Sequence, residues 1–304
     1  TSELAQQAMA RYRTYFETPD NGSGKAYLDD RYYRVDYGPV TYITLDSSNG
    51  DDSDISKDTN LYLAGEANGG EAPDFNPGSE QYQWLETQLA DAQAHSLFTF
   101  VQFHHSPYSV GPHGYPSGEN GQSAGEDAQS GQPMRVLTEL FAKYGVDAVF
   151  SGHDEMYEHS LVDGVHFFDI GIGGDGLRGP YMGEDGLYEH ATENPHQLFL
   201  AHLDAPEVWE GPRLMSGGKH YGHMEVNVLP GKGREWLAVL TPVYIFPLMD
   251  AEGVITSWER RLYEDSTVLF SSPTGCVTGK EKPQMSEFEM ASQFAHSACS
   301  AATE

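Results

Sequence analysis

The most constraining feature of this chain is a pattern that occurs twice in its middle, an apolar run that ends in histidine. Leu97 to Phe103 is almost continuously apolar and stops at His104-His105-Ser106-Pro107. Val146 to Phe150 does the same and stops at Ser151-Gly152-His153-Asp154-Glu155. Runs of this kind form strands buried on both faces, the condition of a parallel sheet covered by helices. Between them, Pro133 sits at the first turn of a helix with Val136, Leu137, Leu140, Phe141 and Tyr144 on its inner side and Gly145 as its stop. The order strand, helix, strand makes the two strands parallel and the class α/β. It also puts both histidine motifs at strand C-terminal ends, where open α/β sheets hold their ligands.

The flanking sequence fits around this unit. Leu4, Ala8, Tyr12 and Tyr15 predict a helix over 2–16. Tyr33, Val35 and Tyr37, then Val40 to Leu45, predict two adjacent strands, the second ending at Asp46-Ser47-Ser48. Residues 47–78 are rich in Asp, Asn, Gly and Pro and predict a long surface loop. Ser79 then caps a helix with the stripe Tyr82, Leu85, Leu89 and Ala92. Downstream, an Asp163-Gly164 turn joins Leu161-Val162 to Val165–Ile170 as a hairpin. Residues 171–222 read as a Gly-rich irregular insertion and 224–263 as an antiparallel meander, which makes 1–270 one domain and 271–304 a peripheral tail.

Charge excludes some partners. Asp and Glu outnumber Lys and Arg by 46 to 17 in 304 residues, a net −29 that argues against a nucleic-acid or anionic-membrane surface. The carboxylates are scattered, as in a solvated acidic coat. No apolar run nears the roughly 20 residues of a membrane span. Cys276 and Cys299 are either one disulfide or two free thiols. The chain opens at Thr1 without a signal-like stretch, which suggests a processed or trimmed product and a secreted, periplasmic or extracellular setting.

The chemistry rests on His105 and His153, imidazoles that leave neighbouring strands at one sheet edge with Asp154 and Glu155 close in sequence. Neutral imidazole and carboxylate donors converging from rigid elements suit a metal ion, and two hydrogen-bonded loop histidines fit the same spacing.

Phe103-His104-His105-Ser106-Pro107-Tyr108-Ser109 and Val149-Phe150-Ser151-Gly152-His153-Asp154-Glu155-Met156-Tyr157-Glu158 resemble the last two metal motifs of the calcineurin-like metallophosphoesterases, especially the purple acid phosphatase branch. Gln81-Tyr82-Gln83-Trp84-Leu85 and Leu45-Asp46-Ser47 are similar to the same family, so the likeness runs in order over residues 30–170. The resemblance implies a four-layer α/β/β/α sandwich, of which this chain supplies one sheet and part of the other. It implies hydrolysis of a small phosphate ester by two divalent or trivalent metal ions (Fe, Zn or Mn, with Ca compatible) that share a bridging hydroxide as nucleophile. Carried over by position, His105 and His153 are imidazole ligands of one metal, and His104 supports the site. His113 lies in the loop whose histidines touch the phosphate or protonate the leaving group, unless it is an ordinary loop histidine.

Two departures follow. Glu155 stands where the family's Gly-His-x-His motif has its second histidine, as a harder ligand or a salt-bridged structural residue. Asp-x-His and Gly-Asn-His are absent from all 304 residues, and Gly-Asp-x-x-Asp or Tyr occurs only as Gly50-Asp51-Asp52-Ser53-Asp54, in the predicted loop and out of the family's order. A separate N-terminal chain carrying them is therefore expected to complete the centre, unless the chain is a truncated product, and to flank the central strands that end at His105 and His153. The contrasting expectation is a non-catalytic binding or structural subunit that keeps the fold. His220 and His223 carry no motif and read as structural or pocket-rim residues.

Overall fold

The computed structural model describes residues 2–26, 28–47, 73–111, 131–174, 194–201, 208–216, 220–232 and 235–271. Helix α1 (Ser2–Tyr15) precedes a hairpin of β1 (Tyr33–Tyr37) and β2 (Val40–Thr44). Helix α2 (Glu80–His95) is capped by Ser79, whose Oγ accepts the Tyr82 N–H at 3.3 Å. It buries Gln81, Leu85, Leu89 and Ala92, one face of the helix, and each buried leucine contributes about 2 kcal/mol. Strand β3 (Phe98–His105) follows, then a 3-10 turn (Gln132–Leu137) that runs into α3 (Thr138–Tyr144), closed by Gly145 in the left-handed region at φ 69°. Next come β4 (Ala148–Gly152), β5 (Tyr157–Val162), β6 (Val165–Ile170) and β7 (Gln197–Leu200). A small ribbon of β8 (Val208–Glu210) and β9 (Arg213–Ser216) precedes β10 (Gly222–Pro230), β11 (Trp236–Met249), β12 (Ile255–Leu262) and β13 (Thr267–Ser271).

The main sheet has seven strands in the order β1-β2-β3-β4-β6-β5-β7. Strands β2, β3, β4 and β6 are parallel neighbours, and β1, β5 and β7 are antiparallel additions. The second sheet is antiparallel, with β10 and β12 on either side of β11 and β13 also pairing with β11. Helix α3 covers one face of the main sheet, where Phe141 meets Phe103 and Phe167 at ring separations of 6.3 and 6.4 Å. Strand alternation turns Phe168 to the other face. It shares one apolar cluster with Ala238, Leu240 and Leu269 of the second sheet. Helices, mixed sheet and antiparallel sheet thus give the α/β class expected.

Four details differ from the sequence reading. Strand β3 runs through both histidines, because its ladder to β4 continues to the pair His105 and Gly152. The helix after Pro133 begins as a 3-10 turn. Three short strands, β7 to β9, lie within 171–222; segments of three or four residues are too short to show a period. The expectation that a partner flanks the histidine strands is corrected, since β3 and β4 each have neighbours on both sides from this chain.

Residues Thr1–Pro273 form one compact unit; the second, Thr274–Glu304, with Cys276 and Cys299, lies outside the described residues. So do 48–72, most of the predicted long loop. No helix among the described residues is long and apolar enough to cross a membrane.

Candidate functional site

The C-terminal ends of β2, β3 and β4 lie side by side, and each delivers a polar side chain: Ser47 after β2, His104 and His105 at the end of β3, His153 just beyond β4. The three imidazoles meet. Ring centroids are 5.1 Å apart for His104 and His105, 4.7 Å for His104 and His153, and 4.6 Å for His105 and His153. His153 Nδ1 lies 2.9 Å from His104 Nε2, so one of these nitrogens donates and the other accepts. Alternation along β3 leaves His104 exposed and His105 buried.

His105 is held from behind. Ser47 Oγ lies 2.7 Å from His105 Nδ1 and accepts the His105 backbone N–H at 3.4 Å. A cleft of about 390 Å³ opens in front, lined by His104, His105, Ser47, Asp46, Arg31 and Tyr12 among others. Arg31 pairs with Asp46 there at 3.2 Å. A second cleft of about 350 Å³ flanks His104 beside Ser151 and Gly152.

The turn after β4 is strained. His153 has φ 72° and Glu155 φ 53°, both in the left-handed region, which costs a side-chain-bearing residue about 1–2 kcal/mol each. The turn persists because Gly171, at the exit of β6, leaves room for it. A Cβ there would fall 2.6 Å from the Glu155 backbone nitrogen.

Around this turn lies a layer of buried carboxylates: Asp154, Glu158 and Asp169. Glu158 Oε2 accepts the Val110 N–H at 2.7 Å, and Oε1 accepts the side-chain amides of Asn194 and Gln197, each at 2.8 Å. Burial outweighs these donors and pushes the Glu158 carboxyl up to about 7, with the Asp154 charge acting in the same direction. Burial, then the Asp154 charge, pushes Asp169 well above the ordinary carboxylate range; the Gly171 N–H, donated to Asp169 Oδ1 at 3.0 Å, offsets only part.

The structure therefore gathers His104, His105 and His153, and places Glu155 in the same turn as His153. His113 lies outside the described residues. His220 is buried and packs on Tyr244 and Phe246, while His223 is exposed and 3.3 Å from Glu225. Among the described residues no group of three or more His, Cys, Asp or Glu is arranged to hold a metal ion. Sequence reasoning assigned no role to Ser47, Glu158 or Asp169. Ser47 and Glu158 each close a segment that resembles the family, and that was the available signal for these two.

No family model matches the chain. It is 34% identical over 144 residues to Probable purple acid phosphatase 20 of Arabidopsis thaliana, which covers 43% of this chain and 32% of that protein. It is 31% identical over 154 residues to an uncharacterized protein of Mycobacterium tuberculosis, covering 49% of this chain and 24% of that one. The chain spans a third or less of the length of these curated relatives. Among solved structures, purple acid phosphatase PPD1 from yellow lupin seeds is similar at 14% identity and TM-score 0.38, over 82% of this chain and 34% of its own. PhoD is similar at 13% identity and TM-score 0.44, over 86% and 46%. The sequence likeness to a purple acid phosphatase supports kinship with the metallophosphoesterase superfamily.

Proposed function

We propose that this chain carries part of the active site of a metal-dependent phosphoric ester hydrolase acting on small monoesters or diesters. The observation that carries the reading is the left-handed His153, held at φ 72° with its ring 4.6 Å from that of His105, at the C-terminal edge of adjacent parallel strands. A chain spends strain at such a point when a side chain must face a particular way. The residues fit as two nitrogen donors to one ion of a dinuclear centre. Glu155 is assigned to the second ion, as an oxygen donor suited to Fe, Zn, Mn or Ca. When bound, the metal pair supplies Lewis acidity toward a phosphoryl oxygen and the attacking nucleophile.

The remaining roles belong to protein side chains. His105 and His153 bind with neutral rings, which the buried seat of His105 and the hydrogen bond between His153 and His104 accommodate. Exposed His104 lines both clefts; its Nε2 accepts the Nδ1–H of His153, so its own proton is on Nδ1 and is the one available to an incoming phosphate. His113 is assigned to the same proton or phosphate contact. The net −29 disfavours a polyanionic substrate and fits a secreted, periplasmic or extracellular acidic protein. The other donors come from sequence carrying Asp-x-His, Gly-Asp and Gly-Asn-His, as a separate N-terminal chain.

A second reading, a binding or structural subunit, draws on the absence of Asp-x-His and Gly-Asn-His from the 304 residues. Metal analysis and p-nitrophenyl phosphate turnover, measured with and without the upstream sequence, separate the two. Two ions per assembly with turnover, both lost in His153→Ala while the melting temperature holds, is the expected result. Full metal content and normal turnover in His153→Ala would remove the histidine from the site.

A further inference from the structure

The segment Gln81-Tyr82-Gln83-Trp84-Leu85 contributes no donor to the histidine cluster, yet its first residue reaches the site in two steps. Gln81 is buried in the first turn of α2. Its Oε1 accepts the Asp46 N–H at 2.9 Å and its Nε2 donates to the Asp46 carbonyl at 3.0 Å. This fork satisfies both backbone groups of Asp46, as a neighbouring strand would, at the point where β2 has ended. The residue it holds next in line is Ser47, itself 2% exposed, with Oγ 2.7 Å from Nδ1 of the equally buried His105.

A neutral imidazole carries its proton on one nitrogen, and the partner of one nitrogen decides what the other can do. Nδ1 faces Ser47, so a proton on Nδ1 puts the ring's lone pair on Nε2, at the far edge. We infer that Ser47 is a positioning residue: it accepts the Nδ1–H of His105, fixes that tautomer and ring orientation, and leaves the Nε2 lone pair for a metal ion. Gln81 keeps Ser47 in place by holding the Asp46 backbone. The metal at Nε2 rests on the function proposed above; the tautomer does not.

The test is long-range proton–nitrogen correlation NMR on the metal-free full chain with labelled histidine, at about pH 8.5 where imidazole is neutral. His105→Gln identifies the His105 signals among those of thirteen histidines. The expected wild-type spectrum shows His105 protonated at Nδ1. Ser47→Ala should mix the tautomers and weaken Zn²⁺ binding by roughly 10–100-fold in calorimetry, and Ser47→Thr should restore both. Gln81→Met should shift both readouts in the same direction as Ser47→Ala. An Nε2–H tautomer in the wild type would overturn the inference with no variant needed, as would a Ser47→Ala protein with unchanged tautomer and affinity. If the Nδ1–H tautomer is present and lost in Ser47→Ala while the wild type, supplied with the upstream sequence, binds no Zn²⁺, Ser47 positions His105 as stated and the proposed function fails instead.

Discussion

Glu158 makes a sharp prediction because opposing effects on it are nearly balanced. Three donors favour its charged form and burial opposes it; burial wins, and the carboxyl rises from its ordinary 4.5 to about 7. Each pH unit of displacement corresponds to about 1.4 kcal/mol, so the shift is worth about 3 kcal/mol. The folded state binds this proton more tightly than the unfolded state. The favourable contribution is therefore complete below pH 4.5, is lost as pH rises through about 7, and is absent above that. Glu158→Gln removes the titration and leaves the shape. It offers one acceptor oxygen where the carboxylate offers two, a cost of about 1–3 kcal/mol that does not vary with pH. Relative to wild type the variant should be destabilised most below pH 4.5, and the gap should close by about 3 kcal/mol towards pH 8. Urea unfolding of both proteins across this range gives the difference directly, and groups that titrate alike in both cancel. A gap that stays constant with pH would refute the claim that burial outweighs the three donors.

Two further variants probe the packing around the site. Gly171→Ala would place a Cβ 2.6 Å from the Glu155 backbone nitrogen, where no flexible side chain can yield, and should cost about 2–3 kcal/mol in thermal unfolding. An unchanged melting temperature would show that the strained turn does not depend on that glycine. Asp265→Ala removes the acceptor shared by Tyr157 Oη at 2.6 Å and His159 Nδ1 at 2.9 Å, and should cost about 3 kcal/mol in urea unfolding. Retained stability would mean that water replaces the carboxylate between the two sheets. At the site itself, Glu155→Gln should lower metal content by one ion per assembly, and unchanged content by mass spectrometry would leave Glu155 a structural residue.

What could be read from the sequence follows from the range over which each signal acts. Strands β3 and β4 were legible because Phe98 to Val101 and Ala148 to Phe150 are buried on both faces and nearly all apolar. The turn between β5 and β6 was legible because Asp163-Gly164 is chemistry suited to positive φ, and these residues have φ 51° and 83°. Strand β7 was not, since its four residues join the sheet by pairing with β5 and show no period of their own. The histidine cluster was legible in outline, because a strand order puts His105 and His153 at one edge. The carboxylate layer was not. Asp154, Glu158 and Asp169 belong to a turn, to β5 and to β6, and their shared burial is a tertiary property. Ser47 is similar: nothing local distinguishes it from Ser48, and only the pairing of β2 with β3 brings it against His105.

The architecture separates two requirements that the sequence seemed to join. A partner was expected to complete both the sheet and the ligand set. Strand β3 lies between β2 and β4, and β4 between β3 and β6, so the apolar runs that carry the histidines are covered by strands of their own chain. Within the described residues the open edges are β1 and β7. At β1, Arg34 is tied to Asp36 and Asp91, and charge on an edge opposes further pairing. What the proposed centre lacks among the described residues is donors. Its three histidines meet around a strained turn whose geometry is fixed by Gly171 and whose surroundings include Glu158 and Asp169, carboxyls that burial pushes up. A partner bringing the missing motifs would therefore have to add charge and ligands in front of the histidines, where the cleft beside Arg31 and Asp46 is open, without entering the core. Under the proposed function, folding and metal loading are then distinct free energies, and a perturbation of one need not move the other.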